Sequence, residues 1–150
     1  MTTSPKALIL NSLSKHETLV STLDIDIDID TNAVRMPIAR KHTGAPGIAH
    51  GGSVMALLDT ALGVRAIDLA LQQGKATSTV ELKVNFLRPG KLGSELHVET
   101  DVEFVGRSLM VIRGAALDDE QRKIAVAVGT FNLYEVDAGR MADALRSLEE

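Results

Sequence analysis

The residues His50-Gly51-Gly52 stand directly before an apolar run, SVMALLDTALG, that holds a single carboxylate, Asp59. Paired glycines at the mouth of a helix let a ligand approach bare backbone, and the first amides of a helix have no partner within it. With the positive end of the helix dipole behind them, such N–H groups can hold an oxyanion developing at a carbonyl carbon. A carboxylate eight residues further on can serve as general base or nucleophile. Asp59 also has structural readings, as a group capped by a buried hydrogen bond or facing a subunit interface. For His50, bonding the backbone of the turn outweighs a general-base role.

Helical spacing defines the surroundings of Asp59. Its neighbours are Met55, Ala56, Leu62 and Gly63, while Arg65, Asp68 and Gln72 form a wet stripe roughly 120–180° away at about 100° per residue. Asp59 is therefore expected away from solvent, where it must find a partner. Gly51 and Asp59 lie about 12 Å apart on one continuous helix. A reacting carbonyl needs its oxyanion donor at about 3 Å and its attacking group at about 3–3.5 Å. One chain cannot supply both. Antiparallel copies of the helix about a two-fold axis would set Gly51 of one copy against Asp59 of the other, giving two equivalent sites per homodimer.

The helix that positions these groups is expected from about Ser53 to Leu71, with Gly74 as its stop. Asp59, Arg65 and Asp68 would each cost roughly 2.5–3.5 kcal/mol near a bilayer centre, so the helix reads as buried in a globular protein and not as a membrane span. Strands follow. VELKVNF alternates Val80, Leu82, Val84 and Phe86 against Glu81, Lys83 and Asn85, and ELHVETDVEF alternates Leu96, Val98, Val102 and Phe104 against His97, Glu99, Asp101 and Glu103. MVIRGAAL and KIAVAVGTFNLY complete an antiparallel meander hinged at Gly106-Arg107 and Asp118-Asp119-Glu120. Ala125, Ala127 and Gly129 form a face small enough for a helix to lie close.

Before the site, residues 6–21 read as a short surface helix behind Pro5, and LDIDIDID reads as a strand whose Asp24, Asp26, Asp28 and Asp30 all point one way. The calcium-loop reading of D-x-D-x-D fails at the sixth and twelfth positions, where Ile29 and Arg35 stand in place of Gly and Glu. DAGRMADALRSLEE reads as a solvated helix. The expected fold is α+β, a long antiparallel sheet wrapped around one central, mostly apolar helix. It forms one domain over 1–150, with a core at about 22–134 and helical extensions.

GIAHGGSVMALLDTALG followed by TVELKVNFLRPG resembles the hotdog-fold acyl-CoA thioesterases of the PaaI-like, phenylacetate-pathway group, over roughly residues 33–134. The resemblance implies hydrolysis of acyl-CoA with no cofactor, coenzyme A being part of the substrate, in a dimer commonly paired into a tetramer. It implies that the Gly51 amide polarises the thioester carbonyl, that Asp59 is nucleophile or general base, and that Thr79 orients water or carboxylate. Asn85 to Pro89 is a marker of the fold. One departure is Gly44, where family members often carry Asn or Gln. Either His42 takes that role, or catalysis is slower, or the site binds without hydrolysing.

Other contacts are assigned by position. His50, Gly52 and His42 flank the thioester, Met55, Leu58 and Leu62 line the acyl group, and Arg88, Lys91 and Arg107 are loop cations suited to the coenzyme phosphates. His42, nine residues before Gly51, also has the spacing seen in hotdog hydroxyacyl-thioester dehydratases, but the acid those enzymes need early in the helix is replaced by Ala56. A non-catalytic acyl-CoA-binding dimer is the third reading.

Composition narrows the rest. The chain has 150 residues, 45% of them hydrophobic, enough for one sizeable core. With no cysteine there is neither a disulfide framework nor a thiolate metal site, and the expected compartment is the cytoplasm. The apolar run Ala7–Leu10 is too short for a signal h-region or a span. A formal net charge of −4 with one Tyr, three Phe and no Trp argues against nucleic acid as a partner.

Overall fold

The computed structural model describes residues 3–15 and 17–148. Two helices, α1 (Pro5–Leu13) and α2 (Leu19–Thr22), lead into short strands β1 (Asp26–Ile27) and β2 (Val34–Pro37). A 3-10 turn (Arg40–His42) and a small ladder of β3 (Thr43–Ala45) and β4 (Ile48–Ala49) deliver the chain to α3 (Gly51–Gln72). The long strands β5 (Lys75–Phe86), β6 (Glu95–Val105), β7 (Leu109–Leu117) and β8 (Lys123–Glu135) follow, then α4 (Ala138–Ser147). α4 buries no residue, as a solvated helix should. Among the described residues no helix is long and apolar enough to cross a membrane.

All pairings in the six-stranded sheet are antiparallel, in the order β1-β2-β6-β7-β8-β5. The sheet wraps α3, whose Val54, Leu57, Leu58, Ala61, Leu62, Val64, Ala66 and Ala70 are buried. Each large aliphatic side chain withdrawn from water contributes about 1.5–3 kcal/mol. Close wrapping depends on missing side chains. A Cβ on Gly114 would lie 2.4 Å from Leu62 Cδ1 and one on Gly129 would lie 3.0 Å from Leu62 Cδ2, so adjacent strands β7 and β8 clamp one leucine through two glycines. Ala125 and Ala127 share the buried face of β8 with Gly129, as the sequence pattern predicts.

Three expectations are corrected. The helix expected over 6–21 is broken after Leu13, because Thr18 Oγ1 donates to Leu13 O at 2.6 Å and accepts from Ser21 N–H, which starts α2 afresh. The acidic strand shrinks to Asp26–Ile27, and its carboxylates do not share one face. Asp24 sits at φ 50 and pairs with Lys41, while Asp26 pairs with Arg35. Asp28 Oδ1 accepts from the amides of Asp30 and Thr31, so short acidic side chains capture the backbone that a strand would need. The stripe expected to be wet is so only in part: Gln72 is exposed, whereas Asp68 is partly covered and accepts from Lys6 of α1 at 3.1 Å, Arg65 at 2.9 Å and Asn32 at 3.3 Å.

The β7–β8 turn is held by a buried carboxylate. Asp118 Oδ1 accepts from the amides of Glu120 and Arg122, and Oδ2 accepts from Arg122 Nε at 2.9 Å. Burial by itself raises the Asp118 carboxyl, but the amides and guanidinium outweigh it, so it is held below the usual carboxylate range. A depressed pKa gives stability that is present above the unfolded value near 4 and is lost as pH falls through the folded one. Asp118→Asn should therefore melt below the parent at pH 7, with the gap narrowing as the pH is taken progressively below about 4. Melting curves at pH 7 and through the acid range check this, and a gap that widens on acidification contradicts it.

Candidate active site

His50 caps α3, with φ −64 and ψ 139, and its Nδ1 accepts from Gly52 N–H at 2.9 Å. Its carbonyl accepts from Ser53 N–H at 3.0 Å and Val54 N–H at 3.3 Å. Of the first four amides of the helix, these three are thereby occupied. For Gly51 N–H no acceptor exists among the described residues. The first turn thus presents one open donor at the positive end of a 22-residue helix. Gly52, expected at the substrate, has its amide closed by the histidine, so His50 does have the expected backbone-bonding role.

The histidine ring also explains Gly44. A Cβ there would stand 2.7 Å from His50 Cδ2, inside carbon–carbon contact, so ring and side chain compete for one space. His42 does not fill the gap. It is fully buried, its Nδ1 accepts from Ala39 N–H at 2.9 Å, and its Nε2 donates to Leu23 O at 2.7 Å. With both nitrogens consumed it pins the 3-10 turn and does not line the site, which corrects the expected substrate contact. Its carbonyl accepts from His50 N–H at 2.7 Å and Ser53 Oγ at 3.1 Å, so it fixes the helix mouth from behind.

Asp59 also departs from expectation, because in the single chain it is exposed, on one side of α3 with exposed Gly52 and Met55. Its Oδ1 accepts from Thr79 Oγ1 at 3.0 Å, and no cation pairs with it among the described residues. A bulge in β5 makes this contact possible. Thr79 opposes Phe131 and Glu81 opposes Thr130, leaving Val80 as the extra residue. Directly opposed residues share a face of the sheet, so Thr79 sides with buried Phe131 and faces α3. Val80, expected inside, is 63% exposed.

The remaining candidates divide. Leu58 and Leu62, expected to line the acyl group, are fully buried, and Leu62 is committed to the β7–β8 clamp, so both belong to the core. Phe86 is a site element that alternation alone did not single out. Its Cζ would lie 3.3 Å from a Cβ on Gly51, and both line a cavity of about 370 Å³ with Arg88. Arg88 donates to Lys123 O at 2.9 Å. Lys91 opposes Ile48 outside that cavity. Arg107 is in the β6–β7 turn, where its carbonyl accepts from Lys75 at the opposite end of β5 from Phe86. One chain therefore carries two separate clusters of candidate residues: Gly51 with Phe86 and Arg88, and Asp59 with Thr79.

A family model described as the thioesterase superfamily matches residues 46–125, a span that contains both clusters. The chain belongs to the thioesterase superfamily. The Saccharolobus solfataricus protein SSO1253 is 32% identical over 130 residues, 83% of each chain. The acyl-coenzyme A thioesterase THEM4 of Bos taurus is 32% identical over 89 residues, 59% of this chain and 35% of that protein. Among solved structures, the E. coli PaaI protein from the phenylacetic acid degradation operon superposes with TM-score 0.74 at 22% identity, over 87% of this chain and 94% of its own. BH2602 from Bacillus halodurans, solved with CoA, gives TM-score 0.73 at 26% identity, over 86% and 83%. The sheet wrapped around α3 is thus the hotdog fold of this superfamily, as the sequence resemblance implied.

Proposed function

We propose that this thioesterase-superfamily chain hydrolyses acyl-CoA thioesters in a homodimer whose two half-sites face each other. The observation that carries the reading is the pairing of one open amide, Gly51 N–H, with one carboxylate, Asp59, that is tethered by a hydroxyl and neutralised by no cation. The thioester carbonyl oxygen accepts from Gly51 N–H. Asp59 takes a proton from water as the oxygen attacks, or attacks directly to give an anhydride that water then opens. Collapse of the tetrahedral intermediate breaks the C–S bond; on the general-base route the CoA thiolate recovers the proton that Asp59 took from water, and on the anhydride route it takes the proton released by the water that opens the anhydride. Water and thioester become acid and thiol, with no change of oxidation state.

A second copy supplies the other half-site. The two groups stand about 12 Å apart along α3, too far to share one carbonyl. Strand β5 is an outermost strand of the sheet, so one side of its backbone is unpaired. Exposed Val80, Phe86 and Met55 flank that edge and the Asp59 side of α3, apolar surface suited to a two-fold partner. Arg88, which lines the Gly51 cavity, is the cation we assign to a coenzyme phosphate. A dehydratase reading would use His42, whose ring nitrogens are both occupied.

Free-thiol release from a panel of short aliphatic and aryl acyl-CoAs tests the reading. At least one member should be cleaved catalytically by the wild-type chain. Absence of cleavage across the panel, with acyl-CoA still bound, would replace hydrolysis by binding alone.

A further inference from the structure

The backbone at Gly44 does not call for glycine. Its φ lies outside the left-handed region that Gly47, Gly74 and Gly93 occupy, so only its surroundings forbid a side chain there. A Cβ on Gly44 would lie 2.7 Å from Cδ2 of His50, 3.3 Å from its Cβ and 3.4 Å from its Cγ. The missing side chain is the room in which the imidazole stands.

The opposite edge of the ring is held as well. Nδ1 accepts from Gly52 N–H at 2.9 Å, and a Cβ on Gly52 would lie 3.0 Å from Nδ1 and 3.3 Å from Cε1. An accepting Nδ1 carries no hydrogen, which puts the one N–H of the neutral ring on Nε2. Nε2 stands at the tip of an exposed side chain and meets no acceptor among the described residues. Gly51 and Gly52 are consecutive in the first turn of α3, so an oxygen accepted by Gly51 N–H stands beside the imidazole that occupies Gly52 N–H. The ring also lies against Gly52 on the exposed side of α3 that continues through Met55 to Asp59.

We infer that His50 is a catalytic residue whose Nε2–H is a second donor to the thioester oxygen held by Gly51 N–H, and that Gly44 is the positioning residue that leaves the ring its place. This rests on the acyl-CoA reading above and adds a donor to its oxyanion site. Two N–H groups then share the charge that develops on oxygen as water or Asp59 adds to the carbonyl carbon, and the imidazole gives up no proton. A side chain added at position 44 harms such a site even when it brings donors of its own, because it evicts the ring.

His50→Ser keeps a capping oxygen for Gly52 N–H and removes the Nε2–H, so melting should shift by no more than a few degrees. Its kcat for thiol release should fall about 10²-fold with KM little changed, the pattern of an interaction made in the transition state. Gly44→Asn should cost kcat at least about tenfold more in the wild-type chain, where it meets the ring, than in His50→Ser, where the space is vacant. Nitrogen-15 NMR of the imidazoles on the Asp59→Asn chain, assigned with the additional His50→Ser change, makes the test independent of turnover. His50 should show its hydrogen on Nε2, and that resonance should move on adding hexanoyl-CoA and not on adding free CoA, which has no carbonyl at sulfur. If the wild type cleaves no acyl-CoA but the shift is seen, hydrolysis fails and the donor stands. A loss in His50→Ser of less than about threefold, an equal cost of Gly44→Asn in both backgrounds, or an Nε2 resonance that responds alike to hexanoyl-CoA and CoA overturns the inference.

Discussion

Asp59→Asn is expected to lower kcat for acyl-CoA hydrolysis by about 10²- to 10⁴-fold, the range for loss of a positioned base or nucleophile. The amide oxygen of Asn can still accept from Thr79 Oγ1, the Asp59 partner at 3.0 Å. Its exposed position on α3 leaves little of the fold dependent on it, so the melting temperature should move by no more than a few degrees. Steady-state thiol release on a folded variant checks the prediction. A loss of less than about threefold would remove Asp59 from the chemistry, because a carboxylate whose charge is dispensable is neither base nor nucleophile.

The second large effect concerns an atom that no side-chain substitution removes. Gly51→Pro deletes the one open amide of α3 and is expected to lower kcat by about 10²- to 10³-fold, as loss of an oxyanion donor does. Proline is tolerated at the first position of a helix, and His50 at φ −64, ψ 139 already has the extended backbone required before proline. Either Pro or Ala places a Cβ about 3.3 Å from Phe86 Cζ, a contact to which a half-exposed ring can yield. Gly51→Ala, which keeps the N–H, is therefore the control. The difference between the two variants in kcat is the contribution of the hydrogen bond, and equal activity of the two would contradict the role given to the amide.

The parts of this arrangement that were readable in the sequence are those coded locally. Helix α3 was legible because a capping residue precedes it and Gly74, at φ 65, ends it. Strands β5 to β8 were legible because alternation survives along most of each, but only β6, β7 and β8 form the expected meander: β5 pairs with β8 and not with its sequence neighbour β6, a choice that local pattern does not encode. The half-site partner of Asp59 shows the limit. Uninterrupted alternation that puts Val80, Leu82 and Val84 inside puts Thr79 outside, yet family resemblance put Thr79 at the site. The bulge at Val80 reconciles the two, and it is fixed by pairing with β8, which lies about fifty residues away in sequence. The acidic segment failed for a different reason. Its period was that of a strand, but each Asp found a closer use, in an ion pair or a turn, than a shared wet face. His42 was misplaced because a histidine's role depends on what its two nitrogens meet, here Ala39 and Leu23, and Leu23 lies nineteen residues away.

Asp59 illustrates how a local pattern and a single fold can disagree. The helix sequence has it shielded, while the isolated chain leaves it exposed beside Met55 and the free edge of β5. A two-fold partner on that edge satisfies both. In the proposed dimer the apolar surround would exclude bulk water, though not the reacting molecule, and so strengthen the electrostatic contributions of Gly51 and Asp59.

The central claim is that each site is built from Gly51 of one copy and Asp59 of the other, and mixing two inactive chains tests it most directly. Asp59→Asn and Gly51→Pro proteins, unfolded together and refolded as an equimolar mixture, should recover about one quarter of wild-type thiol release. Random pairing makes about half of the dimers mixed, and each mixed dimer has one intact site and one doubly defective site. Activity no greater than the average of the two parents, with mixed dimers shown to have formed, would place Gly51 and Asp59 in the same chain's site and contradict the account.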